Sequence, residues 1–225
     1  MKYYKFLTED NTSEYAHWDW APYLPRDGQP GEWTPAVEGT PELCENGYHG
    51  CNANQLIGWV NAQLFEVEAD EIVDSDDKFV CRRMRLVRKV GAWNDKTLRL
   101  FACWCVRQVW HLLTDERSKT AVEVAEKFAN GEATSEELAA AWDAAWAAAG
   151  AAAGYAARDA AWAAAGAAAW DAAWDAAGAA ARAAAWAAAG AAAWAAAWNA
   201  AGAAARAAER RWQTRRLLAY LEGRV

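Results

Sequence analysis

Through the first 95 residues the apolar positions recur with a short period, as half-buried strands require. Tyr3 to Leu7, Gln63 to Glu68 and Lys78 to Val90 carry this pattern, and Leu64-Phe65-Glu66-Val67-Glu68 includes its clearest alternation. Phe79-Val80-Cys81 followed by Met84, Leu86 and Val87 reads as two further strands or one long one. Between them, Asn52 to Asn61 places Leu56, Ile57 and Val60 on one face of an expected short helix. All five prolines fall between Ala21 and Pro41 and mark an extended surface segment. A small mixed α/β domain over residues 1–95 follows.

From Lys96 the period lengthens. Leu98, Phe101, Ala102, Cys105, Val109 and Leu112 predict an amphipathic helix over Thr97 to Leu113. Ala121, Val122, Val124, Ala125 and Phe128 predict a second over Ser118 to Ala129, stopped by Asn130-Gly131. A third starts at Thr134, three residues before Glu137 in the manner of a capping box. Residues 96–134 therefore form a helical adaptor.

Beyond it, residues 135–225 follow a lattice in which every fourth position from Trp142 to Arg210 is Trp, Gly or Arg, almost all else being Ala. Trp162, Gly166, Trp170, Trp174, Gly178 and Arg182 recur 24 residues later as Trp186, Gly190, Trp194, Trp198, Gly202 and Arg206, an internal duplication. Alanine makes helix the local preference despite a cost of about 1 kcal/mol at each glycine. A four-residue period drifts about 40° per step, however, and circles the helix in roughly 36 residues. Smooth supercoiling does not absorb that drift. One long helix would carry indoles on all sides and require partners around it. Alternatively, breaks near Gly150/Gly154, Gly178 and Gly202 give shorter helices, each with its indoles in one stripe. The second arrangement is preferred because it buries Trp142, Trp146, Trp162, Trp170, Trp174, Trp186, Trp194 and Trp198 within one chain as a repeat core, unless they form an interaction surface. Asp143, Asp159, Asp171, Asp175 and Asn199 follow lattice positions directly and keep such helices soluble.

Charge narrows the partners. The net −7 lies almost wholly in the first 95 residues, with 17 acids against 9 bases, which disfavours nucleic-acid backbones. Arg206, Arg210, Arg211, Arg215, Arg216 and Arg224 form a basic cluster at the C-terminal end, which complements a helix C-terminus or makes weak phosphate contact. The uncharged run Ala183 to Ala205 is long enough to span a bilayer, but alanine is barely apolar and Trp prefers the membrane interface, so no membrane is expected. A polar start, MKYYKFLTED, and five cysteines point to a cytoplasmic protein without a disulfide framework.

Candidate chemistry centres on Cys44-Glu-Asn-Gly-Tyr-His-Gly-Cys51, where Tyr48 and His49 stand beside flexible glycines as candidate ligand-binding residues. Zinc wants four ligands, and only Cys44, His49 and Cys51 lie close in sequence, so no metal and no cofactor are expected. Cys103-Trp-Cys105 falls on a helix with its thiols on different faces, which is no metal knuckle. No phosphate loop, nucleophile elbow or HExxH is present, so no catalytic residues are assigned.

Residues 96–141, with Leu98-Arg-Leu-Phe-Ala-Cys103, Ala121-Val-Glu-Val-Ala-Glu126 and Gly131-Glu132 leading into an Ala-rich tail, resemble a helical segment of bacterial immunity proteins. Cys44 to Cys51 through Phe65 to Ile72 resembles an N-terminal domain common in bacteria and their phages. That pattern is also similar to the ADP-ribosyltransferase-like fold, which implies a nicotinamide pocket around Tyr48 and His49, with Glu66 and Glu68 the only carboxylates placed for catalysis. The expectation is an α+β protein: a small mixed N-terminal domain followed by an all-α Ala/Trp helical region. It would act as a non-enzymatic interaction module of the immunity or phage–host conflict type, through a protein partner or self-association. An ADP-ribosyltransferase-like enzyme and a structural helical assembly are the alternatives.

Overall fold

The computed structural model describes residues 1–113, 115–151 and 196–224. Among them the chain is α+β, an antiparallel six-stranded sheet and four α-helices. It divides into two compact units, Met1–Asn94 with Leu218–Val225, and Asp95–Leu217.

In the first unit β1 (Tyr3–Leu7), β2 (Tyr48–Asn52), β3 (Gln63–Asp70), β4 (Val73–Asp74), β5 (Phe79–Cys81) and β6 (Arg83–Lys89) assemble in the order β4-β5-β2-β1-β3-β6. The run expected from Lys78 to Val90 is two strands, separated at Arg82, whose N–H donates to Asp70 O (3.1 Å). One face buries Leu7, Phe65, Val67, Phe79, Met84 and Leu86 against Trp20, which is 1% exposed. Burying such a side chain contributes about 1.5–3 kcal/mol. The proline-rich segment edges the sheet: Gly31, Thr34 and Val37 donate their N–H groups to Leu86, Met84 and Arg82 of the β6 side (2.8–3.1 Å). A sheet edge is covered in this way without a seventh strand. On β3 and β6, Glu66 pairs with Arg88, Glu68 with Arg85 and Asp70 with Arg83 across the strands.

The helix expected over Asn52 to Asn61 is only a 3-10 turn at Leu56–Gly58. Leu56 and Val60 are buried as their apolar spacing requires. Side-chain hydrogen bonding replaces the helical ladder here: Asn52 N donates to Gln55 Oε1 (2.8 Å), and Gln55 Nε2 donates to Ser75 O (2.7 Å).

In the second unit α1 (Asp95–Gln108) and α2 (Glu116–Ala129) bury Leu98, Phe101, Cys105, Ala121 and Val122, and Arg107 pairs with Glu126. The residues at 110–112 that were expected to extend α1 are a 3-10 turn. Asp115 caps α2 by accepting from Arg117 N, and Asn130 with Gly131 at φ 77° ends it. α3 (Ser135–Ala151) begins with the reciprocal Thr134–Glu137 capping box, at 2.7 and 3.2 Å. On it Ala141 and Ala145 are buried while Trp142 and Trp146, 38% and 56% exposed, stack at 5.9 Å. α4 (Ala196–Leu221) places Trp212 flat on Trp104 of α1 at 3.5 Å, with Arg216 over the Trp104 ring at 4.9 Å. α4 also runs unbroken through Gly202, where the sequence pattern placed a break. Alanines on both sides supply enough helix preference to carry one glycine. α3 likewise continues through Gly150, at the start of the break expected near Gly150/Gly154, whereas Gly154, Gly178, Trp162, Trp170, Trp174, Trp186, Trp194 and the duplication lie outside the described residues.

Candidate functional site

The sheet carries a split. β1 pairs with β3 along its whole length, from Tyr3–Val67 to Leu7–Gln63, but with β2 only at Tyr3–Asn52 and Tyr4–Cys51. Past that point β2 turns to β5, pairing Tyr48 with Cys81 and Gly50 with Phe79. Two glycines permit this course. A Cβ at Gly50 would fall 2.5 Å from the Phe79 ring, and Gly47, at φ 129°, lies where a Cβ would meet Val80 and the Cys81 carbonyl. A cleft of about 660 Å³ opens at the split. That volume suits a small-molecule site.

Aromatic rings dominate the lining. Trp20 and Tyr48 meet edge to face at 5.9 Å; Trp20 Nε1 donates to Ser13 Oγ (2.8 Å) and Tyr48 OH to Pro35 O (3.0 Å). Their polar ends are thus satisfied and their ring surfaces remain as the apolar wall. Trp18, 40% exposed, packs edge to face on Tyr48 at 5.6 Å; Tyr15, 72% exposed, meets Trp59 at 6.2 Å. Tyr48 is held in its neutral form, burial pushing its phenol up.

Lys5 is the main charge within this wall. It is 9% exposed, donates to His49 O at 2.8 Å and lies 5.2 Å from the Trp20 ring centre. Burial pulls its ammonium down to about 8. Beside it the Cys51 and Cys81 thiols are pushed up to about 12 by burial and stay neutral.

His49 points its Nε2 at the Cys44 N–H, which donates to it at 3.0 Å, so the ring proton resides on Nδ1. This bond holds Cys44 at φ 66°, a left-handed conformation costly outside glycine. Burial first, then Lys5 and Lys78, pull His49 down to about 4. At the mouth, Lys78 Nζ lies 3.0 Å from the exposed Cys44 Sγ and 5.4 Å from the Trp59 ring centre.

Tyr48 and His49 therefore both line the cleft, each engaged in a hydrogen bond that shapes it. Glu66 and Glu68 do not line it: Glu66 accepts from Lys2 and Arg88, and Glu68 from Arg85. Although burial pushes the Glu66 carboxyl up, Arg88 and Lys2 hold it below its usual range. Among the described residues, no three His, Cys, Asp or Glu side chains converge as a metal set. Trp142 and Trp146 belong to the second unit and present a stacked, exposed indole pair. Trp198 falls on α4.

Lys5, Trp18, Trp20, Trp59 and Lys78 were not singled out from sequence. One signal was present, a lysine inside the apolar strand Tyr3 to Leu7, where an inward position demands a reason. No protein-family model, no curated protein and no solved structure matches the chain. Also among the described residues, no helix is long and apolar enough to cross a membrane.

Proposed function

We propose that this is a non-catalytic binding protein of the bacterial immunity or phage–host conflict type. Its N-terminal unit recognises a small ligand in the aromatic cleft, and the all-α Trp/Ala region serves as scaffold or association surface. The cleft carries the ligand-binding part of this reading: it combines open indole surface with convergent polar groups, as small-molecule sites do. The exposed Trp142–Trp146 stack supports the association role, since indoles are favoured interface anchors.

Recognition is favoured over ADP-ribosyl transfer by the placement of the carboxylates. Glu14 is the one carboxylate of the lining, it is exposed, and it accepts from Asn61 Nδ2 at 3.2 Å. Such a group neither orients a nucleotide nor stabilises developing positive charge in a dry site.

A thermal-shift panel of planar metabolites, NAD included, tests the reading on the full chain. Stabilisation by at least one member, lost in the Trp18→Ala/Trp59→Ala double variant, is expected. Stabilisation that survives the double variant, or none across the panel, overturns it. Turnover of NAD would establish the enzyme reading instead.

A further inference from the structure

We propose that the ligand of the cleft is a planar aromatic anion, its ring system stacked on the indoles of Trp18 and Trp59 and its negative group set against the ammonium of Lys5. This rests on the reading of the cleft as a ligand site and adds the chemistry of the ligand.

The first support is the state of Lys5. It lines the cleft, is nine-tenths buried, and has a neutral carbonyl and a ring face as its partners. Among the described residues no carboxylate pairs with it, although an ammonium carries three donors. A buried cation without a counter-ion is costly to hold. An anion entering the cleft supplies the missing partner through a charge-assisted hydrogen bond.

The second support is the balance of charge. Lys5 and Lys78 face the cleft against the single, rim-placed Glu14. An aromatic cage could in principle accept a quaternary ammonium. Here two ammonium groups repel a cation and attract an anion. The third is shape: Trp18 and Tyr15 are open to solvent beside the buried floor of Trp20 and Tyr48, so flat ring surface is offered at the entrance and charge deeper in.

The probes are 1-anilinonaphthalene-8-sulfonate and its uncharged analogue N-phenyl-1-naphthylamine, titrated by fluorescence into the full chain. The component of binding lost in Trp18→Ala/Trp59→Ala defines the cleft. Within it the sulfonate is expected to bind about tenfold more tightly than the neutral dye at pH 7, the worth of a charge-assisted hydrogen bond. That preference is expected to vanish in Lys5→Met. In Cys44→Ser, which keeps Lys5 but removes the exposed thiol 3.0 Å from Lys78 at the mouth, it fades as pH rises through the value of about 8 at which Lys5 loses its proton, which keeps the test independent of how the Lys5 variant folds.

The neighbours facing Lys5 leave this window clear: Cys51 and Cys81 stay protonated to about 12 and His49 stays neutral above about 4. Burial raises Tyr4 and Tyr48, and Lys78, Cys44, Tyr15, Glu14 and Asp77 are the other ionisable groups around the mouth, of which the Cys44 thiol is removed in the pH series. Lys78→Met is expected to weaken the sulfonate while leaving the pH midpoint in place. Equal affinity for the two dyes, or a preference untouched by Lys5→Met and by pH, overturns the inference and leaves the cleft reading standing. Binding of neither dye in a manner that depends on Trp18 and Trp59 overturns both.

Discussion

Replacing Lys5 by Met tests the electrostatics of the N-terminal unit most sharply, because the two side chains have similar reach and only one can be charged. In the folded chain the ammonium is pulled from 10.5 to about 8, with burial as the leading cause. Between those values the unfolded chain binds a proton that the folded chain has released, so stability must rise with pH across the window. At 1.36 kcal/mol for each pH unit, the rise is about 3 kcal/mol. The methionine of the variant has no proton to lose. The stability of the natural chain minus that of Lys5→Met should therefore increase by about 3 kcal/mol from below pH 8 to above pH 10.5. Taking the difference cancels the opposite trend from Cys51 and Cys81, whose raised thiols destabilise the fold as the unfolded thiols ionise. Denaturant-induced exposure of the Cys51 and Cys81 thiols to alkylation, resolved by peptide mass spectrometry, reports on this unit alone. Parallel pH profiles for the two proteins would refute the assignment of Lys5 as a buried, uncompensated ammonium.

Three further outcomes follow from the same geometry. Iodoacetamide on the native chain should modify Cys44, the exposed thiol, far faster than Cys51, Cys81, Cys103 or Cys105, as peptide mapping will show. Nitrogen-15 NMR of His49 should report a neutral ring with its proton on Nδ1 down to about pH 4; because the unfolded ring protonates at about 6.5, its contribution to stability is present above that value and falls away between the two. Gly50→Ala should destabilise the first unit by about 1–3 kcal/mol in denaturant titration, because the new methyl meets the Phe79 ring at 2.5 Å and Tyr4 O at 2.9 Å.

Periodicity made β1, β3, β6, α1 and α2 legible, since each buries one face with the spacing its geometry demands. The capping signals at Thr134 and at Asn130-Gly131 were equally local and equally readable. β2 was not, because Tyr48-His-Gly-Cys-Asn52 has no apolar alternation: its two faces hold a buried phenol and a histidine that caps a turn. Its glycines suggested flexibility where they in fact admit Phe79 and Val80. Tyr48 and His49 were recognised as neighbours of a site, whereas the cleft itself depends on where the β1–β2 ladder stops, a non-local property of register. Trp18 and Trp59 approach it from loops far apart in sequence. The unbroken course of α4 through Gly202 shows that one glycine among alanines is weak punctuation.

Native mass spectrometry of the full chain after exposure to a bacterial metabolite extract tests the central claim most directly. The account predicts a one-to-one small-molecule adduct in the natural protein that is lost in Trp18→Ala/Trp59→Ala. An adduct that persists in the double variant, or a natural chain that takes up nothing, would contradict the assignment of the cleft as the recognition site.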